Sequence, residues 1–259
     1  MDPSLKVSMS ISIFLGISLP ITNLIFTSKI KVFKIFLFQW IFDLGVWIFP
    51  GFRYFLIILF QFDLRQLNDF LALVHEYFTY IVLDCSIWCH LVLFKRNRFQ
   101  LRFILAILGL SICKNFLILI PTVSGLAVIA THFVTSIVGP ILYEIVIFCL
   151  TYWKRNFASE NKTHIKLLKY YLWNFIFFVI TSIPNGVFLI ISNSNVEEFL
   201  SESLHSSVYN WVSLFYVASS WVRALTFIIL FRDSILSHPS LGGCESYFST
   251  DIAIIESGV

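Results

Sequence analysis

The chain has 259 residues with 58% hydrophobic and only 13% charged side chains, 29 phenylalanines and a formal net charge of +3. Soluble domains carry about a quarter charged residues, so this composition, with a mean hydropathy of +0.85, excludes an ordinary water-soluble fold. The small net charge also argues against a nucleic-acid binder, and an integral membrane protein is what remains.

A lipid-spanning helix needs about 20 mostly apolar residues. Seven stretches qualify, at roughly residues 7–28, 35–60, 70–94, 103–121, 125–152, 169–192 and 208–231. The first begins after Lys6 but has no small-residue cleavage site of the kind a signal peptide carries. None of the runs keeps the alternation that a barrel strand requires. The expected fold is therefore an all-α integral membrane protein: a seven-transmembrane helix bundle over residues 1–232 and a polar tail over 233–259, with Pro239, Gly242 and Gly243.

The connections alternate in charge. The first carries Lys29, Lys31 and Lys34; the third carries Lys95, Arg96, Arg98 and Arg102; the fifth carries Lys154, Arg155, Lys162, Lys166 and Lys169. Connections two, four and six hold Arg65 and several acids. Basic residues accumulate in short cytoplasmic loops, so the amino terminus is expected outside and the carboxyl terminus in the cytosol. The basic segment at residues 95–98 then reads as the cytosolic rim of a bundle. Asn161-Lys162-Thr163 fits the glycosylation acceptor pattern, but on the cytosolic side it should stay unmodified.

Ionisable groups inside a spanning segment are costly and usually face the bundle interior. Asp43, Asp84, Glu144 and Arg223 all fall roughly 12–15 Å from the expected cytosolic ends, at about 1.5 Å per residue, with Lys114 slightly deeper. A single mixed-charge network follows, with Arg223 on Asp43 or Asp84, and with Lys114 or a proton satisfying Glu144. It either holds the helices together or, by rearranging, biases two states of the bundle. The outer half carries Arg53, His75, Glu76, His132, Tyr209 and Trp211, which suit the few polar and aromatic groups of a small-molecule site; Arg53 and Glu76 can equally pair with each other. Pro140 and Pro184 lie within the fifth and sixth spans, where proline kinks a helix. Cys85, Cys89, Cys113 and Cys149 lie in apolar runs and read as small buried hydrophobes, and no His/Cys spacing suggests a metal site.

Seven spans, short loops, Phe- and Ile-rich helices, Asp43 in the second span, Asn97-Arg98-Phe99 after the third, and Pro140 and Pro184 in the fifth and sixth together resemble a G-protein-coupled receptor. In particular they resemble the nematode serpentine chemoreceptor families. Asn97-Arg98-Phe99 is similar to the acidic-Arg-aromatic triplet of rhodopsin-like receptors, and Asp43 to their second-helix aspartate. The seventh span differs, with Arg223 where such receptors are uncharged and no Asn-Pro pair. The resemblance implies a plasma-membrane protein, the sensory cilium included, that binds a small molecule in its outer half. It also implies a heterotrimeric G protein engaged by Arg96, Arg98, Arg102, Lys154, Arg155, Lys162 and Lys166, which anionic membrane lipids would attract as well.

The competing class is a seven-helix transporter or ion-coupled carrier, which the buried charges accommodate. Internal repeats and matched helix breaks would favour it, and the sequence has neither. A retinal protein would need a lysine in the last span, which offers Arg223. No nucleophile–base pair or metal set at one depth points to an enzyme, and no cofactor is expected.

Overall fold

The structure, a computed structural model, describes residues 3–29, 36–60, 68–95, 101–120, 125–155, 162–192 and 202–236. They are helical almost throughout: α1 (Pro3–Lys29), α2 (Leu37–Phe60), α3 (Asp69–Lys95), α4 (Leu101–Asn115), α5 (Gly125–Phe133), α6 (Gly139–Arg155), α7 (Lys162–Ser192) and α8 (Glu202–Leu236). A π turn, Val134–Val138, joins α5 and α6 into one rod, so the described residues form seven helical rods without strands. Four stretches among them are long and apolar enough to cross a membrane: Pro3–Ser28, Asp69–His90, Lys169–Phe188 and Ser207–Arg232.

Local chemistry accounts for the helices. Asn68 caps α3, its Oδ1 accepting from the backbone N–H of Phe70 at 2.8 Å and of Leu71 at 3.3 Å. Hydroxyls within the apolar runs bond back to their own helix, as Ser18 does to the Phe14 carbonyl and Thr27 to the Asn23 carbonyl, so they sit there at little cost. Pro140 explains the π turn. It has no N–H to offer the Ser136 carbonyl, and its ring would crowd that carbonyl in a regular helix. Widening the turn relieves the clash, and the Gly139 N–H reaches back five residues to the Val134 carbonyl. Pro184, by contrast, lies within a continuous α7.

The rods close on one another: α1 packs between α2 and α8, α3 against α2, α4 and α6, and α7 against α8 and the α5–α6 rod. Two apolar cores fill the bundle. One gathers Leu5, Met9, Val46, Trp47, Leu83, Ile87, Phe178 and Val217. The other gathers Phe36, Trp40, Cys89, Tyr170, Tyr171, Phe227 and Phe231. Gly16 lets the Trp47 indole lie directly on α1, and Gly186 does the same for Phe133 on α7; any Cβ there would collide with the ring. The outward faces are apolar too, with Phe14, Ile25, Leu110, Trp173, Ile180 and Ile229 exposed. Apolar surface on that scale marks contact with something other than water. Cys85 and Cys89 are buried as expected, whereas Cys113 and Cys149 are exposed free thiols: each lies in an apolar run but on its outer flank.

Candidate functional site

Asp43, between the two cores, is fully buried, and Arg223 is 4% exposed. Asp43 Oδ1 accepts from Arg223 Nη2 at 2.6 Å, from Ser86 Oγ at 2.5 Å and from Gln39 Nε2 at 3.0 Å. Arg223 Nη2 also donates to Ser86 Oγ, and Gln39 Nε2 to the Ser86 carbonyl at 3.0 Å. Three helices, α2, α3 and α8, therefore meet on one carboxylate oxygen. A buried ion pair is stable only when further hydrogen bonds of this kind surround it. One turn along α8 from Arg223, Trp47 Nε1 donates to Ser220 Oγ at 2.6 Å, and Asn23 of α1 donates to the Ala224 carbonyl at 3.0 Å.

A second cluster occupies the other side of α3. Asp84, 1% exposed, is ion-paired with Lys114 of α4, accepts from Asn115 Nδ2 at 2.7 Å and accepts from Ser136 Oγ. Lys114 Nζ donates to Ser136 Oγ at 2.8 Å, and His132 Nδ1 lies 3.2 Å from the same oxygen. Ser136 Oγ is thus the point where the Asp84 carboxylate, the Lys114 ammonium and the His132 ring meet. Ser136 is within the π turn: the widened turn that Pro140 imposes is what carries this hydroxyl. The Tyr80 ring packs edge-on against His132 with centroids 4.5 Å apart.

The single network expected from depth is thus two clusters. Arg223 lies on Asp43 and not on Asp84, and Lys114 is on Asp84 rather than on Glu144. Glu144 is buried on α6 and forms no hydrogen bond or ion pair with another described residue. The physical reason is azimuth. Asp84 and Ser86 are two residues apart, so their side chains leave α3 about 200° apart at 3.6 residues per turn. One faces α2 and α8, the other α4 and the π turn.

The six outer-half residues have partners of several kinds. Arg53 and Glu76 pair at 3.9 Å, His75 Nε2 lies 2.8 Å from the Phe49 carbonyl, and His132 belongs to the Asp84 cluster. Tyr209 lies against Phe188 and Trp211 against Phe215. Of the basic residues, Arg96 and Arg98 are outside the described residues. Arg102 is exposed at the start of α4 and Lys166 is half-buried in α7. Lys154 and Arg155 fall at the end of α6, and Lys162 opens α7. Asn161 and the tail from 237 are also outside the described residues.

Sequence reasoning about charges missed the neutral partners Gln39, Ser86, Asn115 and Ser136. A signal existed for Gln39, which is four residues before Asp43 on one helix face, and for Ser136, four after His132. Among the described residues no group of three His, Cys, Asp or Glu side chains can hold a metal ion. No family model matches the chain, and no curated protein does.

Proposed function

We propose that all seven rods cross the membrane, with the amino terminus outside, and that the chain is a G-protein-coupled chemosensory receptor of the serpentine kind. A small molecule held in the outer half of the bundle biases the arrangement of the helices, and the basic cytosolic rim engages a heterotrimeric G protein at the plasma membrane. The observation that carries this reading is the pair of buried ion clusters on α3, each tying that helix to different neighbours. A helix held from both sides by polar bonds can pass a small displacement from one half of the bundle to the other, because exchanging such partners switches between discrete packings. The alternation of basic and acidic connections supports the orientation.

The test is ligand-free coupling. The chain is expressed with G proteins, and basal nucleotide exchange is compared with that of Arg98→Ala and Arg155→Ala variants that reach the cell surface equally. Exchange above background that falls in both variants is expected. Absence of exchange with every G protein, in a chain shown to reach the surface, overturns the receptor reading, and ion flux through the same cells then tests a transporter.

A further inference from the structure

The buried cations of the two clusters are already taken: Arg223 lies on Asp43 at 2.6 Å, and Lys114 lies on Asp84. Glu144 of α6 is only 9% exposed, yet it has no hydrogen bond or ion pair with another described residue. Its surroundings offer no other cation. Leu142, Ile145 and Val146 beside it are exposed, so α6 turns Glu144 inward, toward α3 and α7. From α7 comes Tyr171, buried and within electrostatic reach of the carboxyl group. From α3 comes Trp88, packed on Tyr143 of α6 with ring centroids 5.9 Å apart. α3 also brings His90, which faces Tyr171 at 5.0 Å and whose ring nitrogens bond to no described residue. The π turn, Val134–Val138, carries no ionisable side chain. Along α6 itself the nearest cations are Lys154 and Arg155, about 15 Å away at 1.5 Å per residue.

An isolated carboxylate in an apolar interior is too costly to keep, and the group neutralises instead. A proton is the ligand that does so without a cavity, since it needs only the carboxyl oxygen. We propose that Glu144 is a proton-binding site: it is a carboxylic acid in the packing described above, and it gives the proton up when α6 separates from α3 and α7. In that step the O–H bond breaks, the proton passes to water entering beside α6, and the carboxylate left behind is hydrated. The two arrangements of the bundle then differ by one bound proton, so acid favours the closed one and alkali the open one. α6 is suited to such a movement, because the π turn that Pro140 imposes interrupts its hydrogen-bond ladder less than two turns before Glu144. The linkage would act equally on a receptor and on a transporter.

Infrared spectra of the full chain in detergent at neutral pH read the site directly. A protonated carboxyl group gives a C=O band above the amide envelope; a carboxylate, whether bare or paired with a metal or organic cation, gives none there. The band is expected in the unsubstituted chain, retained in Asp43→Asn and in Asp84→Asn, and lost in Glu144→Gln. No band in the unsubstituted chain, or a band that survives Glu144→Gln, overturns the proposal. Where Glu144→Gln does not fold, Glu144→Asp should shift the band without erasing it, and an unmoved band removes Glu144 from the site. The pH profile of thermal unfolding gives a second reading. The folded chain holds this proton and the unfolded chain, with an ordinary glutamate, releases it, so stability should fall as the pH rises from about 5 to about 8. Glu144→Gln keeps the shape of the protonated acid and should flatten that fall; a slope unchanged by the substitution overturns the proton as the ligand.

Discussion

The two faces of α3 solve the same problem differently. Toward α2 and α8, Asp43 is held by Arg223 with regular helix on every side, and the pair is sealed between two aromatic-rich cores. Toward α4 and the α5–α6 rod, Asp84 is held by Lys114 just before a 3₁₀ turn at Phe116–Leu119, and by Ser136 on a π turn. The lysine side chain is 17% exposed; Lys114 and Asn115 are the last two residues of α4 before that turn, and Ser136 lies in the π turn itself. Arg223 Nη2 meets Asp43 Oδ1 and Ser86 Oγ together, so one nitrogen of a planar guanidinium clamps three regular helices at a single point. A flexible ammonium and a hydroxyl on a widened turn make a looser joint, and π turns recur at functional sites.

The largest effect expected from breaking this contrast lies on the clamp. Arg223→Leu strands a buried carboxylate and should lower stability by roughly 3–5 kcal/mol, read by thermal unfolding in detergent. Asp43→Asn in the same chain should recover part of the loss, whereas Asp84→Asn should recover none. Rescue by Asp84→Asn instead would reverse the pairing. Lys114→Met should cost less, about 1–3 kcal/mol, because the Lys114 side chain is 17% exposed against 5% for Arg223 and solvent near it offsets part of the lost charge. A loss matching that of Arg223→Leu would erase the distinction between clamp and joint. The smallest effect is the most discriminating. The costs of Arg223→Leu and Lys114→Met should add within about 0.5 kcal/mol in the double variant, as for sites without shared partners. A larger coupling would mean that α3 transmits strain between its faces even at rest.

Helix positions were largely legible in the residues. The apolar runs place all seven rods to within several residues, with informative differences at the ends. Pro3 opens α1 earlier than the hydropathy does, because proline is well tolerated in a first helical turn. α4 gives way to 3₁₀ geometry after Asn115, although the apolar run continues to residue 121, and α8 extends through Leu236, past the charged pair Arg232-Asp233. Hydropathy is blind to these ends because it records affinity for an apolar medium and not backbone geometry.

The polar clusters were half legible. Their charged members stand out because an ion in an apolar helix is rare, and counting residues gives their position along each helix. Their partners do not, because a serine or asparagine in such a run also satisfies itself on its own helix, as Ser18 and Thr27 do. Pro140 marked the fifth span for a kink, but not that the helix would widen into a π turn and place Ser136 on Asp84.

By itself, then, the amino-acid sequence determined an apolar helical chain, its loop charges and how far along its helix each buried ion lies, since these are one-dimensional quantities carried by composition and by a rise of about 1.5 Å per residue. Only the tertiary structure decided which ions meet. That depends on the rotation of each helix and on which neighbours it packs against, and two residues along α3 are enough to send Asp84 and Ser86 to opposite sides of the bundle.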